Sequence, residues 1–86
     1  MSDKKELYLT LIGARVRYYR KISGVKQEEL ARRVDLSLSA LQRIEQGTYN
    51  KSISLTTLLD IADGLRIDVQ LLLNISTDEK RLMGWN

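Results

Sequence analysis

Eighty-six residues with a formal net charge of +3 suffice for one domain and leave little room for a large core. Cysteine and histidine are absent, which excludes a disulfide framework, thiolate or imidazole metal sites, and the commonest general base at neutral pH. The opening MSDKKELYLT mixes charges without a sustained apolar run, so neither a signal peptide nor a membrane span is expected, and the expected location is cytoplasmic.

The first predicted helix covers about residues 5–22. Leu9, Ile12, Val16 and Tyr19 recur at steps of three and four, while Arg15, Arg17 and Lys21 lie off that stripe. Gly24 is a natural stop and Val25 turns into the core. Lys26 stands where a cap is expected but cannot accept an amide hydrogen, so the second helix, about 27–34, starts poorly capped. Its inward residues are Leu30, Ala31 and Val34. Asp35 and Leu36 form a turn; Asp35 tolerates a left-handed backbone less well than glycine does. Ser37 is a good N-cap for a third helix, 38–46, with Leu41 and Ile44 inward and Gly47 as terminator. Ser54 caps a fourth helix, about 55–64, whose wide apolar face comprises Leu55, Leu58, Leu59, Ile61 and Ala62. Asp68 caps a short fifth helix over 69–74, and Thr77 with Asp78 and Glu79 opens a last turn or helix to residue 83. No run alternates with period two for long enough to argue for a sheet, so the fold class is all-α.

Charge is unevenly placed. Residues 13–51 hold nine basic side chains against four acidic ones, a balance of +5, whereas from residue 52 onward three basic face five acidic, a balance of −2. The middle of the chain therefore has the footprint that a polyanion needs.

Gln27-x-x-Leu30-Ala31, then Leu36-Ser37, then Leu41-x-x-Ile44-Glu45-x-Gly47 resembles the helix-turn-helix domain of Cro and the phage repressors. The stretch Ser54-Leu-x-Thr-Leu-Leu-x-Ile-Ala-x-x-Leu65 resembles the fourth helix of the same family. With Ile12-Gly13 and Arg20 the resemblance covers about residues 9–73. It implies a compact five-helix lambda-repressor-like DNA-binding domain with a short C-terminal extension at 74–86, all within one domain.

The resemblance also implies sequence-specific binding of double-stranded DNA by a small transcriptional regulator. Residues 38–46 would lie in the major groove of a palindromic operator, and the chain would pair as a homodimer on half-sites about one helical turn apart. Leu38, Ser39 and Arg43 match the base-reading positions, and Gln42 projects from the same outer face. An arginine at 43 suits guanine, Ser39 can donate or accept, and Leu38 has two open readings: packing on the protein, or touching a thymine methyl. Gln27 matches the glutamine that bonds a phosphate and braces the recognition helix. Ser37, Tyr49, Asn50 and Lys51 fall where backbone contacts are made. Arg20 and Glu45 match a scaffold ion pair that ties the first helix to the third. Arg15, Arg17, Lys21, Arg32 and Arg33 read as a solvated face.

Two departures stand out. Leu38 sits where many relatives carry a polar or basic reader, which shifts part of the specificity to DNA shape. Asp35 replaces the turn's usual glycine and puts a negative charge near the DNA face.

For the dimer contact, the apolar residues that five helices cannot easily absorb are the candidates: Leu72, Ile75, Met83 and Trp85 above all, with Leu71, Leu73 and Leu82, and with Leu7 and Tyr8 from the other end. The alternative is that this tail folds back on its own core. A competing function is an antitoxin or protein-interaction module that holds a toxin or other partner protein through the same fold. A restriction-modification controller is a further alternative within the same family. Enzyme activity is the poorest reading, because no paired carboxylates, activated nucleophile or metal ligands are assembled. No cofactor and no metal is expected.

Overall fold

A computed structural model describes residues 3–49 and 53–74 of the chain. It contains five helices: α1 (Asp3–Ile22), α2 (Gln27–Arg33), α3 (Leu38–Gln46), α4 (Leu55–Leu65) and α5 (Gln70–Leu73). No strand occurs among the described residues. Asn50, Lys51, Ile75, Leu82, Met83, Trp85 and the expected last turn at 77–83 lie outside them.

Four of the helices stop in the same way. The chain turns left-handed at Gly24, Asp35, Gly47 and Arg66, with φ of 71°, 56°, 75° and 59°. The next amide then reaches back to the last turn: Val25 donates to the Arg20 carbonyl, Leu36 to Ala31, Thr48 to Arg43 and Ile67 to Ala62, at 2.9–3.1 Å. This closure satisfies carbonyls that a helix end leaves orphaned.

The starts are equally local. Ser37 Oγ accepts the Ala40 amide at 3.0 Å and Ser54 Oγ accepts the Thr57 amide at 3.1 Å. Lys26 makes no side-chain cap bond, as its chemistry dictates. Asp68 Oδ1 accepts the Gln70 amide at 2.9 Å and so opens α5.

Every helix feeds one core. Val16, Leu30, Leu41, Ile44, Ile61 and Leu72 are fully buried and come from α1 to α5 in turn. Burial of such a side chain contributes roughly 1.5–3 kcal/mol, against an overall margin of about 5–15 kcal/mol. α1 packs chiefly against α3, and there the backbones nearly touch: a Cβ added at Gly13 would lie 2.0 Å from the Ile44 carbonyl oxygen.

Three expectations need correction. Leu72 is not a surface residue: it is 0% exposed in the core, whereas Leu71 and Leu73 are 40% and 38% exposed. A four-residue helix is too short to show its phase, so only packing decides which leucine turns inward. On α4, Leu58, Ile61 and Ala62 are buried but Leu55 and Leu59 are 60% and 46% exposed, because the core meets one side of that helix only. Gly64 does not end α4. It lies inside the helix because α2 comes close there; a Cβ on it would meet Val34 Cγ1 at 3.0 Å and Leu30 Cδ1 at 3.1 Å. The left-handed stop then falls on Arg66.

Asp35 is the strained residue in the connection between α2 and α3. A left-handed backbone costs an L residue about 1–2 kcal/mol, less for aspartate, and glycine regains most of that while losing some chain entropy on folding. Asp35→Gly is therefore expected to stabilise the domain by about 0.5–1 kcal/mol, read as a higher denaturation midpoint. An unchanged or lower midpoint would refute the strain.

Candidate nucleic-acid interface

α2 and α3 meet through Leu30, Ala31 and Val34 on one side and Leu41 and Ile44 on the other, all buried. The small Ala31 side chain lets the two helices approach. The connection Val34–Ser37 is short because Asp35 reverses the chain in one left-handed step and Ser37 starts the next helix at once.

On α3 the buried positions are Leu41, Ile44 and Glu45. Their burial fixes the helix's rotation and so decides what faces outward. Ser37, Leu38, Ser39 and Arg43 are exposed, and Gln42 is half-buried beside them. Leu38 stands at the leading edge with 36% of its surface open. Gln46, three residues after Arg43 and four after Gln42, continues the same outer stripe and is also exposed. Helical spacing alone identifies that residue, which the motif does not single out.

A buried polar network holds the stripe in register. The Arg20 guanidinium grips Glu45 with two bonds, Nε to Oε2 at 2.6 Å and Nη2 to Oε1 at 3.0 Å. Arg20 Nη1 also donates to the Val25 carbonyl at 2.9 Å. Gln27 Nε2 donates to the same Glu45 Oε1 at 3.0 Å. The carboxylate on α3 thus ties α1 to the first residue of α2, and Arg20 holds the loop between them. Gln27 thereby spends one amide hydrogen on α3, and its carbonyl oxygen and other hydrogen remain for a ligand.

The other singled-out residues divide. Tyr49 is half-buried against the core and so braces the loop after α3. Arg33 is tied to the protein: Nη1 donates to the Gly64 carbonyl at 2.8 Å and Nη2 pairs with Glu29 at 2.5 Å. Arg15 Nη1 lies 3.4 Å from the Leu71 carbonyl, a long bond between α1 and α5. Among the described residues no group of three or more metal-ligating side chains is assembled.

The helix-turn-helix family model matches residues 16–72, a span that includes the α2–α3 pair and its short left-handed turn. The chain belongs to the helix-turn-helix family, of the Cro and phage-repressor type. It is a DNA-binding transcriptional regulator by that membership. The helix-turn-helix chain is 39% identical over 67 residues to the uncharacterized HTH-type transcriptional regulator YazB of Bacillus subtilis (strain 168), covering 78% of this chain and 83% of the relative. Its fold is similar to the restriction-modification controller protein C.AhdI from Aeromonas hydrophila, with a TM-score of 0.69, 33% identity, and coverage of 74% of this chain and 94% of the other. It is also similar to the hypothetical transcription factor NHTF from Neisseria, with a TM-score of 0.71, 25% identity, and coverage of 96% and 91%.

Proposed function

We propose that α3 enters the major groove of a palindromic operator, with Arg43, Ser39, Gln42 and Leu38 against base edges. Gln27, Ser37 and Tyr49, together with Asn50 and Lys51 outside the described residues, hold the backbone. The observation that carries this reading is the division of α3 into a buried face of Leu41, Ile44 and Glu45 and an open polar stripe on the opposite side. Arg43 supplies the strongest single contact, because its planar fork suits the two acceptors of guanine. Leu38 adds a methyl contact or none, so groove shape contributes to specificity.

The regulator acts as a cytoplasmic homodimer, by occupying DNA rather than by catalysis. Among the described residues no helix is long and apolar enough to cross a membrane. The dimer contact uses exposed leucines of α4 and α5, namely Leu55, Leu59, Leu71 and Leu73, joined by Ile75, Met83 and Trp85.

Selection of bound sequences from a random duplex pool tests both parts. A palindrome with half-sites about ten base pairs apart is expected, and Arg43→Ala is expected to lose about 1–3 kcal/mol of operator affinity together with the preference at one base of each half-site. An unpatterned pool, or an Arg43→Ala protein that selects the same sequence equally tightly, would defeat the reading.

A restriction-modification controller is the second reading, favoured by the match that covers 94% of the C.AhdI chain. A neighbouring endonuclease and methyltransferase gene pair whose promoter contains the selected palindrome would decide for it.

A further inference from the structure

Two parts of the domain, α1 to α3 with the reading helix and α4 to α5 with the exposed leucines, are joined twice by the same kind of bond. Arg33 on α2 donates Nη1 to the Gly64 carbonyl of α4 at 2.8 Å. Arg15 on α1 donates Nη1 to the Leu71 carbonyl of α5 at a longer 3.4 Å. Both acceptors lie at the ends of their helices. The left-handed stop of α4 serves the Ala62 and Asp63 carbonyls through the Arg66 and Ile67 amides, and the Gly64 carbonyl falls to Arg33. In α5 the Asn74 amide serves Gln70, and the Leu71 carbonyl falls to Arg15. Neither helix has a basic residue in its own last turn. The positive charge that suits the end of α4 therefore arrives from α2.

The α2–α4 junction is the better defined of the two. Glu29, one turn before Arg33, pairs with its Nη2 at 2.5 Å and so aims the guanidinium toward α4. Beside it the helices are in close contact: a Cβ on Gly64 would meet Val34 Cγ1 at 3.0 Å and Leu30 Cδ1 at 3.1 Å. Apolar contact limits how near α2 comes to α4, and the directional bond at its edge limits how α2 tilts. α3 packs chiefly against α1 and α2, so its angle to α4 is inherited through these neighbours.

We propose that Arg33 is a positioning residue for the paired complex. By holding α2 to the end of α4 it fixes the angle between the reading helix and the dimer surface, and with it the half-site spacing that two copies accept. The inference rests on the palindromic dimer reading, with α4 in the dimer contact. Arg33 touches no base, and Arg15 steadies the second junction. Packed helices lie about 8–10 Å apart, so α3, one helix beyond α2, sits on an arm of about 15–20 Å from α4. A tilt of about 10° then displaces each reading helix by roughly 3 Å, close to the ~3.4 Å rise of one base pair.

The test uses the full chain and duplexes with two selected half-sites, at the parental distance and at one and two base pairs more or less. A duplex with a single half-site is measured alongside. Arg33→Met keeps an unbranched stem and removes every donor. The Arg33 side chain is 40% accessible, so the denaturation midpoint should move by only a few degrees. The parent should show a sharp affinity maximum at one spacing. In Arg33→Met the preference for that spacing over its neighbours should shrink about three- to ten-fold, with single-half-site affinity, base preference and salt dependence unchanged. Arg33→Lys, which keeps a charge and a donor but loses the fork, should fall between the two. A spacing profile that Arg33→Met leaves intact overturns the positioning role. An equal loss on every duplex, with a flatter salt slope, also overturns it, because Arg33 would then be a backbone contact. A variant that sediments as a monomer overturns it as well, since the residue would then hold the dimer itself. Should Arg33→Met fail to fold, the Arg33→Lys profile decides, and one identical to the parent's refutes the assignment. A parent with no preferred spacing defeats the palindromic dimer reading and this inference with it, whereas a sharp parental maximum that survives in the variants defeats the inference alone.

Discussion

Gly13→Ala is expected to destabilise the domain by about 3 kcal/mol or more, although it adds a single methyl group. The added carbon would sit 2.0 Å from the Ile44 carbonyl oxygen, 3.1 Å from the Ile44 carbonyl carbon and 3.2 Å from the Glu45 carbonyl oxygen. All three are backbone atoms in the last turn of α3, so no rotamer change relieves the clash. The helices must separate, which loosens Val16 from Leu41 and Ile44 across the core and stretches the Arg20–Glu45 bonds. Overpacking typically costs 1–3 kcal/mol where side chains can yield; a backbone obstacle puts this case at the upper end or above. Alanine is a better helix former than glycine by about 1 kcal/mol, which offsets part of the loss and makes the sign a real test. A thermal scan checks it. In a domain of this size 3 kcal/mol lowers the midpoint by roughly 12–24 °C, and a midpoint within a few degrees of the parent would show that the helices are not so close.

Glu45→Gln is expected to cost a comparable amount, about 3 kcal/mol, by another route. Only 2% of the Glu45 side chain and 10% of the Arg20 side chain are accessible, so the carboxylate is the internal counter-charge for a buried guanidinium. An amide offers one acceptor where three donors now converge, and it turns N–H groups toward other donors. Breaking one half of a buried pair leaves an uncompensated charge, which typically costs 3–5 kcal/mol. Arg20→Met/Glu45→Met removes both charges and is expected to be less destabilised than Glu45→Gln alone, because the stranded cation goes as well. Denaturant unfolding of the parent, Arg20→Met, Glu45→Met and the double replacement measures the coupling. If the double replacement is as unstable as the two single changes added together, the pair is not coupled as its geometry indicates. Duplex affinity should weaken in the double replacement even where stability returns, since Gln27 loses its partner on α3 and the reading stripe loses its polar tie to α1 and α2.

These two positions show what can be read without coordinates. Arg20 and Glu45 are separated by twenty-five residues, and only the family resemblance pairs them; no spacing rule does. Gln27 is implicated by the same resemblance, yet that its amide reaches Glu45 rather than standing free emerges only from the packed helices. Gly13 enters the sequence reading only as part of the family resemblance, and that it marks a backbone contact with α3 shows only in the packed helices, since it lies within a helix that continues past it on both sides.

The limits of α3 and the serine caps of α3 and α4 follow from neighbours a few residues apart: a hydroxyl that can reach an amide, an apolar residue every third or fourth position, a glycine that can turn left-handed. Such signals are local chemistry and survive in the bare chain, which is why the all-helical class and the helix pair were legible. Which of Leu71, Leu72 and Leu73 is buried, why Leu55 and Leu59 remain open, and why Gly64 continues a helix instead of ending it depend on which surface arrives from elsewhere in the chain. Contacts between distant segments are set by the packing of whole helices, and that was decided only in the folded domain.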